Sequence, residues 1–176
     1  MPGMREVFDL LDRLGIDWFV TGSEAAACYG VLRQTFDTDV VIDLEASEFD
    51  RIARALPGYA IAAPVEFHDF AMASVISTQT AQKVDLIMRG PGPYARRTIE
   101  RRVRCEHREF GEIWVASLED LVVAKLEWSE GVSELQLRDC GQLVRLNGST
   151  VDWPYLERTA AERGVAALLD QVRDAT

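Results

Sequence analysis

The chain has 176 residues, a length that suits one domain, or one domain with a small helical addition. It is 48% hydrophobic, which is enough to bury a core, and it carries a formal net charge of −10. The acidic balance argues against a strong nonspecific nucleic-acid binder, because neutralising phosphates requires clustered Lys and Arg.

The cysteine and histidine content argues against two further kinds of site. Three cysteines lie far apart and only two histidines are present, so we expect neither a zinc site nor a disulfide framework. No apolar run approaches membrane-spanning length, and the first residues lack the apolar region of a signal peptide. These observations predict a cytoplasmic protein with no membrane partner.

The first predicted element is an amphipathic packing helix over residues 4–14, which ends at Gly15. A strand follows, because residues 16–20 are mostly bulky and apolar. Gly22 then permits a sharp turn, and Ser23 is a candidate N-cap for a thin helix of small residues. Unpaired N–H groups at such a helix start favour an anion. Gly22 and Ser23 are therefore candidate phosphate-binding residues, although an ordinary capped helix also fits.

Two aspartates begin the next predicted strand, over residues 37–44. Side chains alternate along a strand, so Asp37 and Asp39 share one face. Two carboxylates about 5 Å apart repel by roughly 3 kcal/mol at an effective dielectric constant of about 20. A cation or solvent must therefore lie between them, and oxygen ligands alone favour Mg²⁺ or Mn²⁺ over zinc. Two solvated residues at a strand entry are the alternative explanation.

A third acidic residue, Asp85, interrupts an apolar strand pattern over residues 82–89. An ionisable side chain in a core strand is almost never fully buried without a partner. If this strand lies beside the one that begins at Asp37, three carboxylates converge. Two can then hold metal ions, while the third accepts a proton from an attacking hydroxyl or completes the metal site.

Further helices and strands complete the predicted α/β arrangement. We expect helices over residues 46–56, 117–128, 134–146, 153–163 and 165–173, and strands over residues 59–63, 71–78, 103–107 and 112–116, the last two as a hairpin. Residues 65–70 are expected to connect two strands, and His68 and Asp69 fit an exposed loop better than a site.

A block of arginines lies within residues 89–108 of this otherwise acidic chain. Such a block can bind a triphosphate or an RNA acceptor. It can also be a solvated surface that offsets the acidic charge, and we favour this second interpretation. The five residues are Arg96, Arg97, Arg101, Arg102 and Arg104.

The predicted helix that starts at Ser117 carries Lys125 within its apolar stripe. A lysine aimed at a core is unfavourable unless its ammonium meets an anion, here a substrate triphosphate or Asp139. Alternatively, the stem packs on apolar surface while the ammonium reaches water. In the following helix, Asp139 belongs to one of two possible apolar stripes, so the sequence leaves its orientation open.

These segments together resemble the nucleotidyltransferase superfamily typified by DNA polymerase beta. The resemblance lies in a Gly-Ser turn, a spacer of helix length, a pair of strand aspartates and a later strand aspartate. The residues that carry it are Gly22, Ser23, Asp37, Asp39 and Asp85.

Other runs resemble one branch of that superfamily. Residues 33–39 are similar to minimal bacterial members, including the transferases of toxin–antitoxin and abortive-infection systems. Residues 117–128 and 137–143 resemble the later lysine and arginine–aspartate segments of that group, so the resemblance covers residues 18–146. One departure is Tyr29, where many relatives have a histidine.

The resemblance implies an α/β (α+β) fold, with a mixed twisted sheet and flanking helices over residues 1–116 and a C-terminal helical part over residues 117–176. It implies a metal-dependent nucleotidyltransferase that moves a nucleoside monophosphate from an NTP to a hydroxyl acceptor and releases pyrophosphate. The acceptor would be RNA, a protein or a small molecule, and a cognate antitoxin is a further expected partner. The alternatives are a catalytically silent binding partner of the same fold and a nucleotide sensor.

The resemblance also implies a role for each candidate residue. Asp37 and Asp39 hold one or two Mg²⁺ (or Mn²⁺) ions on the nucleotide phosphates, and Asp85 acts on the acceptor hydroxyl or joins the metal site. The implied nucleotide-binding residues are Gly22, Ser23, Arg33, Lys125 and Asp139.

Overall fold

The computed structural model of the protein describes residues 4–90 and 92–175. Helices and strands alternate irregularly along this part of the chain. The helices are α1 (Met4–Arg13), α2 (Gly22–Cys28), α3 (Asp50–Ala55), α4 (Pro93–Glu100), α5 (Leu118–Ser129), α6 (Glu134–Asn147), α7 (Trp153–Glu162) and α8 (Ala166–Asp174). The strands are β1 (Trp18–Val20), β2 (Asp37–Ile42), β3 (Tyr59–Ile61), β4 (Val65–Glu66), β5 (Phe70–Ser77), β6 (Lys83–Arg89), β7 (Val103–His107) and β8 (Gly111–Val115).

The strands form one mixed sheet in the order β3-β5-β6-β2-β1-β8-β7, with β4 paired to β5. Strands β2 and β6 run parallel, and their register puts Asp39 opposite Asp85. Strand β1 pairs antiparallel with β2 and parallel with β8. The predicted fold class, a mixed sheet with flanking helices, is confirmed.

The core is built around the two central strands. Residues 40–42 of β2 and 86–88 of β6 are at most 5% exposed, as their continuous apolar runs predict for strands covered on both faces. Helix α1 packs on β1, where Phe8 stacks on Trp18 with ring centroids 4.5 Å apart. Within residues 4–90 and 92–175, no helix is long and apolar enough to cross a bilayer.

The C-terminal helices begin with α5, which is buried along nearly its whole length. Its predicted N-cap is confirmed, because the Ser117 hydroxyl accepts a hydrogen bond from the Asp120 N–H at 3.2 Å. Helices α6 and α7 pack against α5, and α8 packs against both of them. The division into residues 1–116 and 117–176 stays a prediction.

Two predicted helix details differ from the structure. Ser23 is not an N-cap, because α2 already begins at Gly22 and the capping position is Thr21. The helix predicted over residues 46–56 is divided into a 3₁₀ turn at Ala46–Glu48 and the short helix α3. The predicted hairpin is confirmed as β7 and β8.

Four of the five arginines of the block lie in ion pairs, so most of its positive charge is already paired with acidic side chains. This arrangement supports the interpretation that the block offsets acidic charge. Its pairs join Arg97 to Glu162, Arg101 to Glu119, Arg102 to Asp17 and Arg104 to Glu112.

The expectation that the cysteines stay unpaired is wrong for two of them. Cys28 at the end of α2 and Cys105 in β7 form a disulfide bond, whereas Cys140 is a buried free thiol. The partners are 77 residues apart in sequence, and only the fold brings them together. His107 of β7 also lies 3.0 Å from Glu24 of α2, so two links hold this helix to the hairpin. The cysteines therefore no longer support the expectation of a reducing cytosol.

Thiol titration tests the disulfide. Before reduction, the unfolded protein should react with one equivalent of DTNB, at Cys140, and after reduction with three. Reduction should also lower the free energy of unfolding by about 2–4 kcal/mol, because the bond closes a long loop. Cys140→Ser is the control and should show no reactive thiol before reduction. Three reactive thiols in the unreduced wild-type protein would contradict the pairing.

Candidate active site

Three carboxylates meet where the two central parallel strands begin. Asp37 and Asp39 lie on one face of β2, because side chains two residues apart on a strand point the same way. Asp85 lies directly opposite Asp39 on β6, so the in-register parallel pairing puts it on that face as well. The structure therefore brings together the three acidic residues that the sequence analysis singled out.

The crowding of negative charge changes the titration of Asp39. Burial, followed by the nearby carboxylates of Asp37 and Asp85, raises the pKa of Asp39 to about 6. The positive charges of Lys83 and Lys125 act in the opposite direction. A carboxyl group in this position is therefore stabilised in its ionised form by any further cation that approaches it.

The raised pKa of Asp39 predicts how stability depends on pH. The pKa of Asp39 is about 6 in the folded protein and 3.8 in the unfolded chain, so the folded state binds the proton more tightly. Protonated Asp39 therefore stabilises the fold fully below about pH 4, and this stabilisation is lost as the pH rises towards 6. Asp39→Asn should therefore reduce the loss of stability between pH 4 and pH 6. Without metal, it should also raise the free energy of unfolding at pH 7 by on the order of 1–2 kcal/mol. Thermal unfolding in EDTA at several pH values measures both effects. Equal stability of Asp39→Asn and wild type at pH 7 would contradict the raised pKa of Asp39.

Lys83 supplies positive charge to the acidic cluster, and the sequence analysis missed it. Its Nζ lies 2.6 Å from Asp85 Oδ2 and 3.6 Å from Asp37 Oδ2. The hydrogen bond to Asp85, together with the charges of both acids, raises the pKa of Lys83. The signal was present in the sequence, because Lys83 precedes Asp85 by two positions on one strand and so shares its face.

The remaining oxygens of two of these carboxylates also have partners. Ser74, on the neighbouring strand β5, donates a hydrogen bond to Asp85 Oδ1 at 2.5 Å. Thr35 donates to Asp37 Oδ1 at 3.1 Å. Each oxygen of Asp37 and Asp85 therefore faces a donor from the chain itself.

The turn after β1 lies against the acidic cluster. The Thr21 N–H donates to the Asp39 carbonyl at 2.8 Å. Gly22 has a φ of +65°, and a Cβ added there would lie 2.2 Å from Asp39 Oδ2. Glycine is therefore required both for the backbone angle and for the close approach of Asp39. Ser23 accepts a hydrogen bond from the Arg33 guanidinium, so its side chain faces Arg33.

Gly22→Ala should damage both the fold and the cluster. The left-handed φ alone should lower the free energy of unfolding by about 1–2 kcal/mol, and the new methyl group would displace the Asp39 carboxylate. Gly58→Ala is the matched control, because its φ is not left-handed and its Cβ would meet open space. Chemical unfolding of both variants measures the difference. Equal stabilities would contradict the close contact.

Lys125 and Asp139 form a buried ion pair next to the acidic cluster. Both residues are 3% exposed, and Lys125 Nζ lies 2.9 Å from Asp139 Oδ2. Gln136 accepts a second hydrogen bond from Lys125 at 3.1 Å, and Arg33 Nε lies 3.8 Å from the same Asp139 oxygen. Asp139 therefore points inward, and its carboxylate holds two cationic side chains rather than facing an anionic ligand.

Two cavities adjoin each other here, and the smaller one opens at these groups. The smaller, of about 240 Å³, is lined by Thr21, Gly22, Asp39, Asp85 and Lys125, among other residues. The larger, of about 530 Å³, lies beside it and is rich in aromatic side chains. Both are lined by Ile87, Arg89 and Trp128, and the larger adds Phe67, Phe70 and Tyr94. No pattern in the sequence had indicated the aromatic cavity, because its residues come from separate strands and helices.

The chemistry of the acidic cluster fits a hard divalent cation. Three carboxylates without a His or Cys donor match the oxygen ligands that Mg²⁺ and Mn²⁺ prefer. In the described ranges, no three His, Cys, Asp or Glu side chains are already arranged to hold a metal ion. The Lys83 ammonium lies 2.6 Å from Asp85 Oδ2 and 3.6 Å from Asp37 Oδ2, so it occupies part of the space between these carboxylates.

Comparison with known proteins identifies the fold. No family model and no curated protein matches the chain. Among solved structures, the antibiotic-resistance factor ANT(2'')-Ia matches with a TM-score of 0.58 and 14% identity, over 98% of this chain and 90% of that one. The lincosamide adenylyltransferase LnuA matches with a TM-score of 0.55 and 13% identity, over 81% of this chain and 95% of that one. A putative nucleotidyltransferase from Thermotoga maritima matches with a TM-score of 0.55 and 22% identity, over 77% of this chain and 88% of that one. The chain therefore shares its fold with these nucleotidyltransferases, as the sequence analysis predicts.

Proposed function

We propose that this protein is a nucleotidyltransferase that moves a nucleoside monophosphate from an NTP to a hydroxyl acceptor and releases pyrophosphate. The observation that carries the proposal is the in-register opposition of Asp39 and Asp85 beside the Gly22 turn, on one cavity. The likeness in fold to the adenylyltransferase LnuA supports it. Aspartates on adjacent strands at a cavity can hold the divalent cations that stabilise phosphoryl transfer.

The proposed reaction is a single displacement at the α-phosphorus. The acceptor oxygen bonds to that phosphorus while its bond to the bridging oxygen of the pyrophosphate breaks. Asp85 takes up the proton of the acceptor hydroxyl. Asp37 and Asp39, joined by Asp85, would hold Mg²⁺ or Mn²⁺, which when bound supplies positive charge to the phosphate oxygens.

Cationic groups complete the proposed nucleotide site. Lys125 lines the smaller cavity together with Gly22, so its charge would face the phosphates. Arg33 contacts Ser23 and Asp139, which places a second cation beside the turn. Asp139 would position the two cations, and the backbone of the Gly22 turn would bind phosphate oxygens.

The larger cavity is the proposed entrance for the acceptor. The Phe67 and Phe70 rings stack with centroids 4.6 Å apart, and the Trp128 ring lies 5.5 Å from Phe70. Such rings pack on flat apolar surfaces of bases and other ring systems. Structures of LnuA with lincomycin and of ANT(2'')-Ia with adenylyl-2''-tobramycin provide a precedent for small-molecule acceptors in this fold.

A transfer assay tests the proposal. Each NTP, labelled at the α-phosphate, is incubated with the protein and Mg²⁺ in the presence of RNA, cell protein or small ring compounds such as lincomycin and tobramycin. We expect label in one acceptor class, pyrophosphate release and no transfer in EDTA. Nucleotide binding without transfer would favour the sensor alternative. The absence of both binding and transfer would favour the silent binding partner.

A toxin-type role, a cognate antitoxin and a cytoplasmic location complete the proposal. Expression of the chain in a bacterial host should arrest growth, and co-expression of the gene adjacent to its own should restore it. The double variant Asp37→Asn/Asp39→Asn should not arrest growth. Normal growth with the wild-type chain would contradict the toxin role and leave the transferase proposal intact.

A further inference from the structure

Lysine is rare in this protein, and both lysines lie at the candidate active site. Among 19 Lys and Arg residues, only Lys83 and Lys125 are lysines. Lys125 lines the smaller cavity, and Lys83 contacts two of the three acids. A compact ammonium on a flexible stem can enter and leave a crowded carboxylate cluster more easily than a planar guanidinium.

The two oxygens of Asp85 are both engaged by the chain. Oδ1 accepts a hydrogen bond from Ser74 at 2.5 Å, and Oδ2 lies 2.6 Å from Lys83 Nζ. A divalent ion that binds Asp85 must use one of these oxygens. The Ser74 hydroxyl is neutral and can rotate, whereas an ammonium and a dication on one oxygen repel each other.

Lys83 has room to withdraw, and Lys125 does not. The Lys83 side chain is 36% exposed at the first position of β6, whereas the Asp85 carboxylate it contacts is only 7% exposed. Lys125 is 3% exposed and is held by both Asp139 and Gln136. The contact between Lys83 and Asp85 therefore lies at the boundary between the buried cluster and solvent.

We propose that Lys83 is an internal counter-ion that holds Asp37 and Asp85 together without metal and must withdraw when a divalent ion binds. The inference rests on the proposed function, because it takes the three acids to be metal ligands. Lys83 acts through these acids and is a positioning residue. Metal binding and the release of Lys83 are then one event, and the lysine competes with the metal.

Calorimetric titration with Mn²⁺, without nucleotide, tests the competition. Lys83→Met should bind Mn²⁺ about tenfold more tightly than wild type, because it removes the competitor from Asp85. Arg89→Met is the control for charge alone, since Arg89 lines the smaller cavity beside Asp39 and Asp85 but forms no described ion pair with the acids. We expect it to tighten binding by less than about threefold. If both variants bind Mn²⁺ more tightly by the same factor, the cause is the loss of nearby positive charge and not the loss of a competitor. That result would overturn the inference.

Trace acetylation of the wild-type chain provides a second readout that does not depend on any variant. Acetylation at the two lysine positions is quantified by mass spectrometry with and without saturating Mn²⁺. Lys83 should react several-fold faster once the metal is bound, while buried Lys125 should stay largely unreactive in both conditions. Unchanged reactivity of Lys83 with metal bound would overturn the inference.

The outcomes separate the inference from the proposed function. If Mn²⁺ binds wild type and Lys83→Met equally, Lys83 is not a competitor, but the metal site stands. If Mn²⁺ binds neither protein, the metal-dependent transferase and the role of Lys83 both fail. If Mn²⁺ binds both proteins and Asp37→Asn/Asp39→Asn as well, the metal lies elsewhere and both proposals fail.

Discussion

Replacing Asp37 and Asp39 together with asparagine should reduce nucleotidyl transfer by about a thousandfold or more. The two carboxylates share one face of β2 and stand beside Asp85, so the double variant removes most of the negative charge that would hold cations on the triphosphate. The rate of pyrophosphate release with saturating NTP and acceptor measures the effect. The fold should persist, because asparagine has nearly the same shape as aspartate.

Asp43→Asn is the control for that double variant. It removes one carboxylate just beyond the end of β2, where the side chain is exposed and away from the cavities. Its transfer rate should stay within about twofold of wild type. If the double variant of Asp37 and Asp39 keeps its transfer rate, the candidate site is not where the chemistry occurs.

Lys125→Met should lower the free energy of unfolding by about 3–5 kcal/mol. The substitution leaves the Asp139 carboxylate buried, with Arg33 at 3.8 Å as its remaining ion-pair partner. Breaking one half of a buried pair is unfavourable because the other charge keeps its desolvation penalty. Urea unfolding at neutral pH, compared with wild type, measures the loss.

A second substitution distinguishes loss of the pair from loss of packing. Lys125→Met combined with Asp139→Leu should recover most of the stability, because no uncompensated charge then remains in the core. Arg173→Met is the surface control. It breaks exposed pairs with Glu157 and Asp170 and should change stability by less than about 0.5 kcal/mol. A double variant as unstable as Lys125→Met would show that the ion pair is not the cause.

Local patterns in the sequence were sufficient to predict most strands, the hairpin and the three candidate acids. The mixed sheet was implied by the family resemblance, and the meeting of the acids depended on the condition that the strands of Asp37 and Asp85 lie side by side. Periodicity of two places Asp37 and Asp39 on one face, and an acid within an apolar run requires a partner, which led to Asp85. The N-cap at Ser117 also follows from local hydrogen bonding. Each of these inferences depends on residues close together in the chain.

The parts that sequence analysis missed depend on distant residues meeting. Cys28 and Cys105 carry no local spacing that indicates a bond, and α2 must first lie against β7. The inward orientation of Asp139 required knowledge of which stripe of α6 faces α5. Lys83 is the exception, because strand alternation alone places its side chain on the same face of β6 as Asp85.

The parallel pairing of β2 with β6 has a consequence for the order of events during translation. A nascent polypeptide synthesised only as far as β5 contains Gly22, Asp37 and Asp39, but no acid opposite them. Long-range parallel pairing is slow compared with hairpin formation. The newly made protein would therefore assemble its cluster only after β6 has left the ribosome and docked along β2.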